Sequence, residues 1–330
     1  MSLDTKVSIK HRIHGIIGLV LSILCFFFAN CLVKLVYIKN PDIPISGYQI
    51  VFIRSIVQLV LVAIQMFREP IHPLGGFKWN KQKLLLLIVT GVSNITNQIF
   101  ICESTRHISP GAFQIILSTA PIFGLVFELV VLKERFYLMR FQFGMITVVG
   151  VIIALYPEFK TQESVVGIIY GFIATIMYAV FCVGVRTSHL LRIENSVILN
   201  IFYPSWIGAV STPLLILIDP SAVTILDGLS LTYWLVLIIA GLLYYLNFAG
   251  FIFGMKYNSP FVSMVIIDCF PVILAYIYMV VVDKYDSHAS SLVVGMLLIF
   301  FGCFAMTLSS VFEIKTWKEL HNNVFRKNSL

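Results

Sequence analysis

Ten apolar runs, each about as long as a bilayer is thick, leave this chain few ways to fold. They fall near residues 15–38, 45–67, 84–106, 109–132, 137–156, 165–187, 196–218, 233–255, 259–282 and 291–312, bounded by charged residues or by Gly and Pro. A helix needs about 20 such residues to cross the hydrocarbon, so ten helices use most of the 330 positions and leave no room for a soluble domain. Charged residues make up 12% of the sequence, about half the share in soluble proteins, and the mean hydropathy is +0.94. The expectation is an all-α integral membrane protein of ten transmembrane helices, with the lipid bilayer as its surroundings.

Charge sets the orientation. The net charge of +7 would point to nucleic acid in a soluble chain, but here the basic residues lie between apolar runs, so a nucleic-acid partner is discounted. With the N-terminus in the cytosol, seventeen of the 23 Lys and Arg fall on the cytosolic side, five fall on the other side, and Arg54 lies inside the second span. That bias predicts cytosolic termini at both ends. Lys6, Lys10 and Arg12 precede a run too long for a signal peptide and without a small-residue cleavage site, so it reads as a retained first span. The six cysteines all lie in apolar runs without zinc-ligand spacing, which implies neither a disulfide framework nor a metal site. No nucleotide fingerprint, P-loop, HExxH pair or Ser/His/Asp set stands outside the spans, so neither an enzyme nor a cofactor is expected.

The chain repeats itself. At an offset of 150, Gly91 matches Gly241, Asn97 matches Asn247, Ser109-Pro110 matches Ser259-Pro260, and Pro121 matches Pro271. At 152, Gly15-Ile16-Ile17 matches Gly167-Ile168-Ile169, and Lys34 matches Arg186. Five spans is an odd number, so the second copy enters the membrane upside down, as an inverted repeat about an axis in the membrane plane. The expected organisation is a cytosolic tail over 1–14, a first repeat over 15–156, a linker over 157–164, a second repeat over 165–312 and a cytosolic tail over 313–330.

These features resemble the drug/metabolite transporter superfamily, built from two EamA-like five-helix halves. The resemblance is carried by Phe52-Ile53-Arg54-Ser55 in the second span, by the prolines inside the fourth and ninth, and by Leu132-Lys133-Glu134 closing the fourth. Within that superfamily, Arg54 with Gln58, Lys133-Glu134, and Ile267-Asp268 are most similar to the G group of solute carrier family 35. The GALNK motif of some nucleotide-sugar members is missing. The resemblance covers nearly the whole chain and implies a secondary transporter of a small-molecule substrate.

Ionisable groups at membrane depth cost roughly 2.5–3.5 kcal/mol each on insertion scales, so each needs a partner or a task. Asp268 lies near the middle of the ninth span, three residues before Pro271, and its counterpart is Ser118, three before Pro121. Helical spacing puts Gln114, Ser118, Pro121, Leu125 and Glu128 on one stripe and Met264, Asp268, Pro271, Ala275 and Tyr278 on the matching one. Asp268 is a candidate proton-coupling carboxyl, or else one half of a fixed ion pair. Arg54, with Gln58 one turn on, would grip a carboxylate or phosphate or cross-link helices. Asn97 and Asn247 are matched polar residues with Tyr244 close by, read as substrate ligands or as glue between helices. Lys34 and Arg186 are candidate residues of the two mouths, or basic side chains that snorkel to the interface. Glu103 with Arg106 reads as a local pair, and Glu128 as a partner for the Lys133 and Arg135 cluster.

The function expected is movement of a small polar metabolite, an organic anion on the balance of Arg54, Lys34 and Arg186, by alternating access around a cavity formed by the first four spans of each half. Proton coupling and a homodimer are left open, as is the choice between plasma membrane and endoplasmic reticulum or Golgi. A nucleotide-sugar carrier and a non-transporting membrane partner are the alternatives. The charge bias makes the first prediction: an epitope tag at either end is reached by antibody in cells permeabilised only at the plasma membrane, with the lumen sealed. A tag protected at one end alone would overturn the even number of spans.

Overall fold

A computed structural model describes residues 9–39, 46–68, 81–131, 138–156, 162–191, 193, 195–218, 230–257, 267, 273–278 and 290–311. Every regular element among them is helical. In chain order they are α1 (Ile9–Lys39), α2 (Gly47–Arg68), α3 (Lys81–His107), α4 (Pro110–Leu117), α5 (Ala120–Val131), α6 (Leu138–Leu155), α7 (Gln162–Leu190), α8 (Ser196–Ile218), α9 (Leu231–Tyr257) and α10 (Ser290–Val311). Seven stretches among the described residues are long and apolar enough to cross a bilayer, with α4 and α5 counted as one, and shorter apolar helices cover Ser196–Ser211 and Ser290–Met306. This is an integral, multi-pass membrane protein. Most of the ninth expected span, residues 1–8 of the expected N-terminal tail, all of the expected C-terminal tail and most of the expected linker lie outside the described residues. Several helices begin before the apolar runs, α1 at Ile9, α3 at Lys81, α7 at Gln162 and α9 at Leu231, because helical backbone bonding runs on past the apolar stretch.

The fourth span is broken in its middle, at Ser118 and Thr119. Pro121 has no N–H to donate to the carbonyl one turn back, and the chain tightens there: Thr119 N–H reaches the Ile116 carbonyl at 3.0 Å, and Ile122 N–H the Thr119 carbonyl at 3.1 Å. The hydroxyls of Ser118 and Thr119 bond back to the carbonyls of Ile115 and Ile116. At its start, α4 is capped by Ser109, whose hydroxyl accepts from Ala112 N–H at 3.1 Å, with Pro110 in the first turn where its missing N–H costs nothing.

The tightest helix pairings are α1 with α9, α3 with α7, α6 with α10, and α2 with α8. Lipid tails are as apolar as leucine, so such pairs are held by close packing rather than by exclusion of water. Glycines permit it. A Cβ on Gly295 in α10 would lie 2.6 Å from the Gly150 carbonyl oxygen and 2.5 Å from Ala154 N of α6. A Cβ on Gly250 in α9 would lie 2.6 Å from the Gly18 carbonyl oxygen of α1. Gly250 and Gly295 thus serve close packing.

The buried apolar residues form two large clusters. One joins α1, α2, α8 and α9, the other joins α4, α6 and α10, and both take residues from α3 and α7. Phe26 of α1 and Tyr178 of α7 pack against both. Outward faces carry Phe67, Leu85, Leu235 and Leu297, as lipid contact requires. Gly295→Ala should lower stability by about 1–3 kcal/mol, because the added methyl meets backbone on the facing helix. Gly18→Ala, whose nearest contacts would be 3.3 Å, should cost less. Melting in detergent ranks the two, and a Gly295→Ala protein as stable as the parent would refute the backbone contact.

Candidate functional site

Where the two clusters meet, the bundle encloses a cavity of about 30 Å³. It is lined by α1 through Ser22, Ile23 and Phe26, by α3 through Asn97, Gln98 and Ile101, and by α4 through Gln114 and Leu117. Opposite stand Tyr178 of α7, Tyr244, Asn247, Phe248 and Phe251 of α9, and Ile267. A water needs about 10–15 Å³ on this measure, so the space holds about two waters and excludes a metabolite in this conformation. The second and seventh spans contribute nothing to the described lining, which corrects the expectation that the first four spans of each half do so. α2 packs against α8 and α9 instead, and that turns its polar face towards those helices.

Of the residues singled out from sequence, Asn97, Gln114, Tyr244 and Asn247 come together on the cavity wall. Asn247 Oδ1 accepts from the Ser22 hydroxyl at 2.7 Å, tying α9 to α1. Gln98 Nε2 donates to Asn94 Oδ1 at 3.1 Å. The amide oxygens of Asn97 and Gln98 and both polar atoms of Gln114 are buried without a hydrogen-bond partner among the described residues. Leaving a buried polar group unsatisfied costs about 1–3 kcal/mol, so this wall offers donors and acceptors to a polar ligand.

Arg54 lies behind that wall. It is 0% exposed, and its guanidinium carbon stands 3.7 Å from the centroid of the Tyr244 ring, in cation–π contact. None of its three guanidinium nitrogens has a hydrogen-bond partner among the described residues. Tyr244, also 0% exposed, donates its hydroxyl to Asn30 Oδ1 in α1 and meets Phe26 edge to face at 5.7 Å. One turn along α2, Gln58 Oε1 accepts from the Ser205 hydroxyl of α8 at 3.3 Å, while its amide nitrogen has no partner among the described residues. Ser118 spends its hydroxyl on its own helix. Asp268 lies outside the described residues.

The two mouth candidates are tied down by different chemistry. Lys34 Nζ donates to the carbonyls of Thr105, Arg106 and Ile108 at 2.9, 3.3 and 3.2 Å, capping the C-terminal end of α3 where the helix dipole favours a cation. Arg186 of α7 meets Glu128 of α5 at 2.6 Å, so Glu128 has a tertiary partner that helical spacing could not reveal. Glu103 accepts from Gly47 N–H at the start of α2 and lies 3.9 Å from Arg106, a structural role as expected.

Sequence reasoning missed Ser22 and Asn30. A signal existed: Ser22, Phe26, Asn30 and Lys34 recur every fourth position along α1 and share one face of it. Tyr178 carried no comparable sign. The Glu128–Arg186 contact yields a prediction. A double-mutant cycle with Glu128→Gln and Arg186→Gln, read as melting free energy in detergent, should give a coupling of about 1–3 kcal/mol. A coupling near zero would show that the pair holds nothing together.

Comparison with known proteins agrees with this architecture. Residues 13–156 match the EamA-like transporter family. A curated human protein, solute carrier family 35 member G1, is 26% identical over 211 residues, covering 61% of this chain and 55% of that protein. The chain thus spans about half the length of this relative. A protein of known crystal structure superposes with a TM-score of 0.58 at 14% identity, over 89% of this chain and 98% of the other, a likeness of fold. The match over residues 13–156 and the likeness to solute carrier family 35 support a relation of this chain to the drug/metabolite transporter superfamily.

Proposed function

We propose that this protein is a secondary-active transporter that carries a small polar organic anion by alternating access, its ten spans arranged as an inverted repeat of two five-helix halves with both termini in the cytosol. The observation that carries the anion reading is Arg54, a fully buried guanidinium with no hydrogen-bond or ionic partner among the described residues, one ring away from a wall of unsatisfied amides. Breaking a buried ion pair leaves a charge whose cost is about 3–5 kcal/mol, and an arriving carboxylate or phosphate offsets such a cost.

Three features of the packing support the inverted repeat. Numbered as the ten spans, the cavity is lined by the first, third and fourth and by the sixth, eighth and ninth, sets that exchange under a shift of five. The pairings α1 with α9 and α3 with α7 exchange under the same shift, while α2 with α8 and α6 with α10 each map onto themselves. One contact recurs in detail. Ser104 donates its hydroxyl to the Gly167 carbonyl at 2.8 Å, and at the related positions a Cβ on Gly254 would lie 3.1 Å from the Gly15 carbonyl oxygen.

On this reading the small cavity corresponds to an occluded step of the cycle. Lys34 on α3 and Arg186 on Glu128 are then the contacts that close the non-cytosolic and cytosolic mouths. Asp268 is proposed as the coupling carboxyl.

Proteoliposomes loaded with carboxylates, amino acids, nucleotide sugars and amines test this, with mass spectrometry reading which class leaves. Loss of an anion class is expected, loss of nucleotide sugars alone would favour the narrower carrier, and loss of amines would overturn the anion reading. Arg54→Gln should lower kcat/KM for the transported anion by more than tenfold, the effect of about 1.4 kcal/mol, in a protein that still melts cooperatively. Asp268→Asn should abolish the dependence of uptake on a proton gradient, and an unchanged dependence would exclude it as the coupling site.

A further inference from the structure

Arg54 is close to the cavity and yet shut out of it. The Tyr244 ring is part of the wall, the guanidinium lies 3.7 Å from the centroid of that ring, and Arg54 is absent from the lining. The ring is held on two further sides. Phe26 meets it edge to face, and its hydroxyl is bonded to Asn30, whose own amide nitrogen has no partner among the described residues. Asn30 is 0% exposed, so no water competes for that bond.

We propose that Tyr244, fixed by Asn30, is the partition that separates the Arg54 charge from the cavity, and that an anion reaches Arg54 only when this ring turns aside. This builds on the anion-transport reading and gives Asn30 a positioning role. The ring serves Arg54 in two ways. While the cavity is empty, its π face is the group that stabilises the cation, and once the ring moves, the fork of five N–H donors is free to take a carboxylate or phosphate in bidentate fashion. Because Asn30 lies on α1 and Tyr244 on α9, the bond that sets the ring joins two helices of the cavity wall. Entry of a substrate against the ring bears directly on it. A neutral substrate of the same size has no such claim on Arg54, so the partition also sorts substrates by charge.

The test uses the full-length protein in proteoliposomes treated with phenylglyoxal, an arginine reagent, with peptide mass spectrometry reading the fraction of Arg54 modified. Parent protein should react slowly there. Tyr244→Phe keeps the ring and loses its hydroxyl, and Asn30→Ala removes the acceptor. Each should raise the rate of Arg54 modification roughly fivefold, the shift expected from loss of one ordinary hydrogen bond, and the double variant should add little because both remove the same bond. Tyr244→Ala should expose Arg54 further. If Tyr244→Phe and Asn30→Ala both react at the parent rate, the partition is refuted. Protection by a carboxylate or phosphate addresses the functional reading separately. Faster labelling that no anion slows would leave the partition standing and remove the anion, whereas protection of the parent without faster labelling in the variants would remove the partition alone.

Discussion

A guanidinium taken into hydrocarbon loses its hydration, and even after relaxation the loss amounts to several kcal/mol. Arg54 meets that demand in part with the aromatic face of Tyr244, and much of the surrounding arrangement follows. Tyr244 must lie flat against α2, which brings α9 up to it. The tyrosine hydroxyl, buried in turn, must find an acceptor, and Asn30 of α1 supplies one. α1 and α9 are the most closely packed pair in the bundle, and their glycine contact at Gly18 and Gly250 lets them approach closely enough for that bond. A single charge in the second span thus fixes the relation of three helices.

The same need for internal satisfaction explains why the two related basic residues differ. Lys34 and Arg186 stand at matching positions of the sequence repeat, but Lys34 has the exposed carbonyls of a helix end within reach, and a compact ammonium with three donors suits three separate acceptors. Arg186 has Glu128 in reach, and a planar fork suits a carboxylate. Residue type and partner agree at each end.

Much of the scaffold was legible in the sequence because bilayer thickness imposes a length and hydropathy reads it directly. Asn97 and Asn247 were legible as a pair because a repeat marks matching positions whatever their environment, and both line the cavity. The position of Arg54 behind Tyr244 was not legible. A residue's place in a span gives its depth, but the rotation of the helix about its own axis is set by packing, here of α2 against α8 and α9. On the stripe of Gln114 and Ser118, Gln114 lines the cavity, while the Ser118 hydroxyl bonds back to Ile115 at the break before Pro121, a local turn that periodicity does not register. Glu128 found its partner 58 positions away, a distance in sequence that no local pattern spans.

Packing also limits which motions the proposed alternating-access cycle can use. Helices that touch backbone to backbone, as α6 and α10 do at Gly150 and Gly295, cannot slide without steric conflict, because no side chain stands between them to change rotamer. α1 and α9 are locked in the same manner. Contacts between the two apolar clusters are of another kind. There the bridging groups are side chains, chiefly the rings of Phe26 and Tyr178, and rings can reorient at a cost of rotamer strain of about 1 kcal/mol. Opening at the seam keeps the glycine contacts intact and widens the cavity that already lies there. The Ser22 to Asn247 and Asn30 to Tyr244 bonds tie α1 to α9 within one cluster, and as side-chain contacts they can break and re-form without disturbing either helix. The polar groups that such a movement would uncover are the ones left unsatisfied in the closed state, so an incoming substrate and the opening of the seam act on the same few atoms.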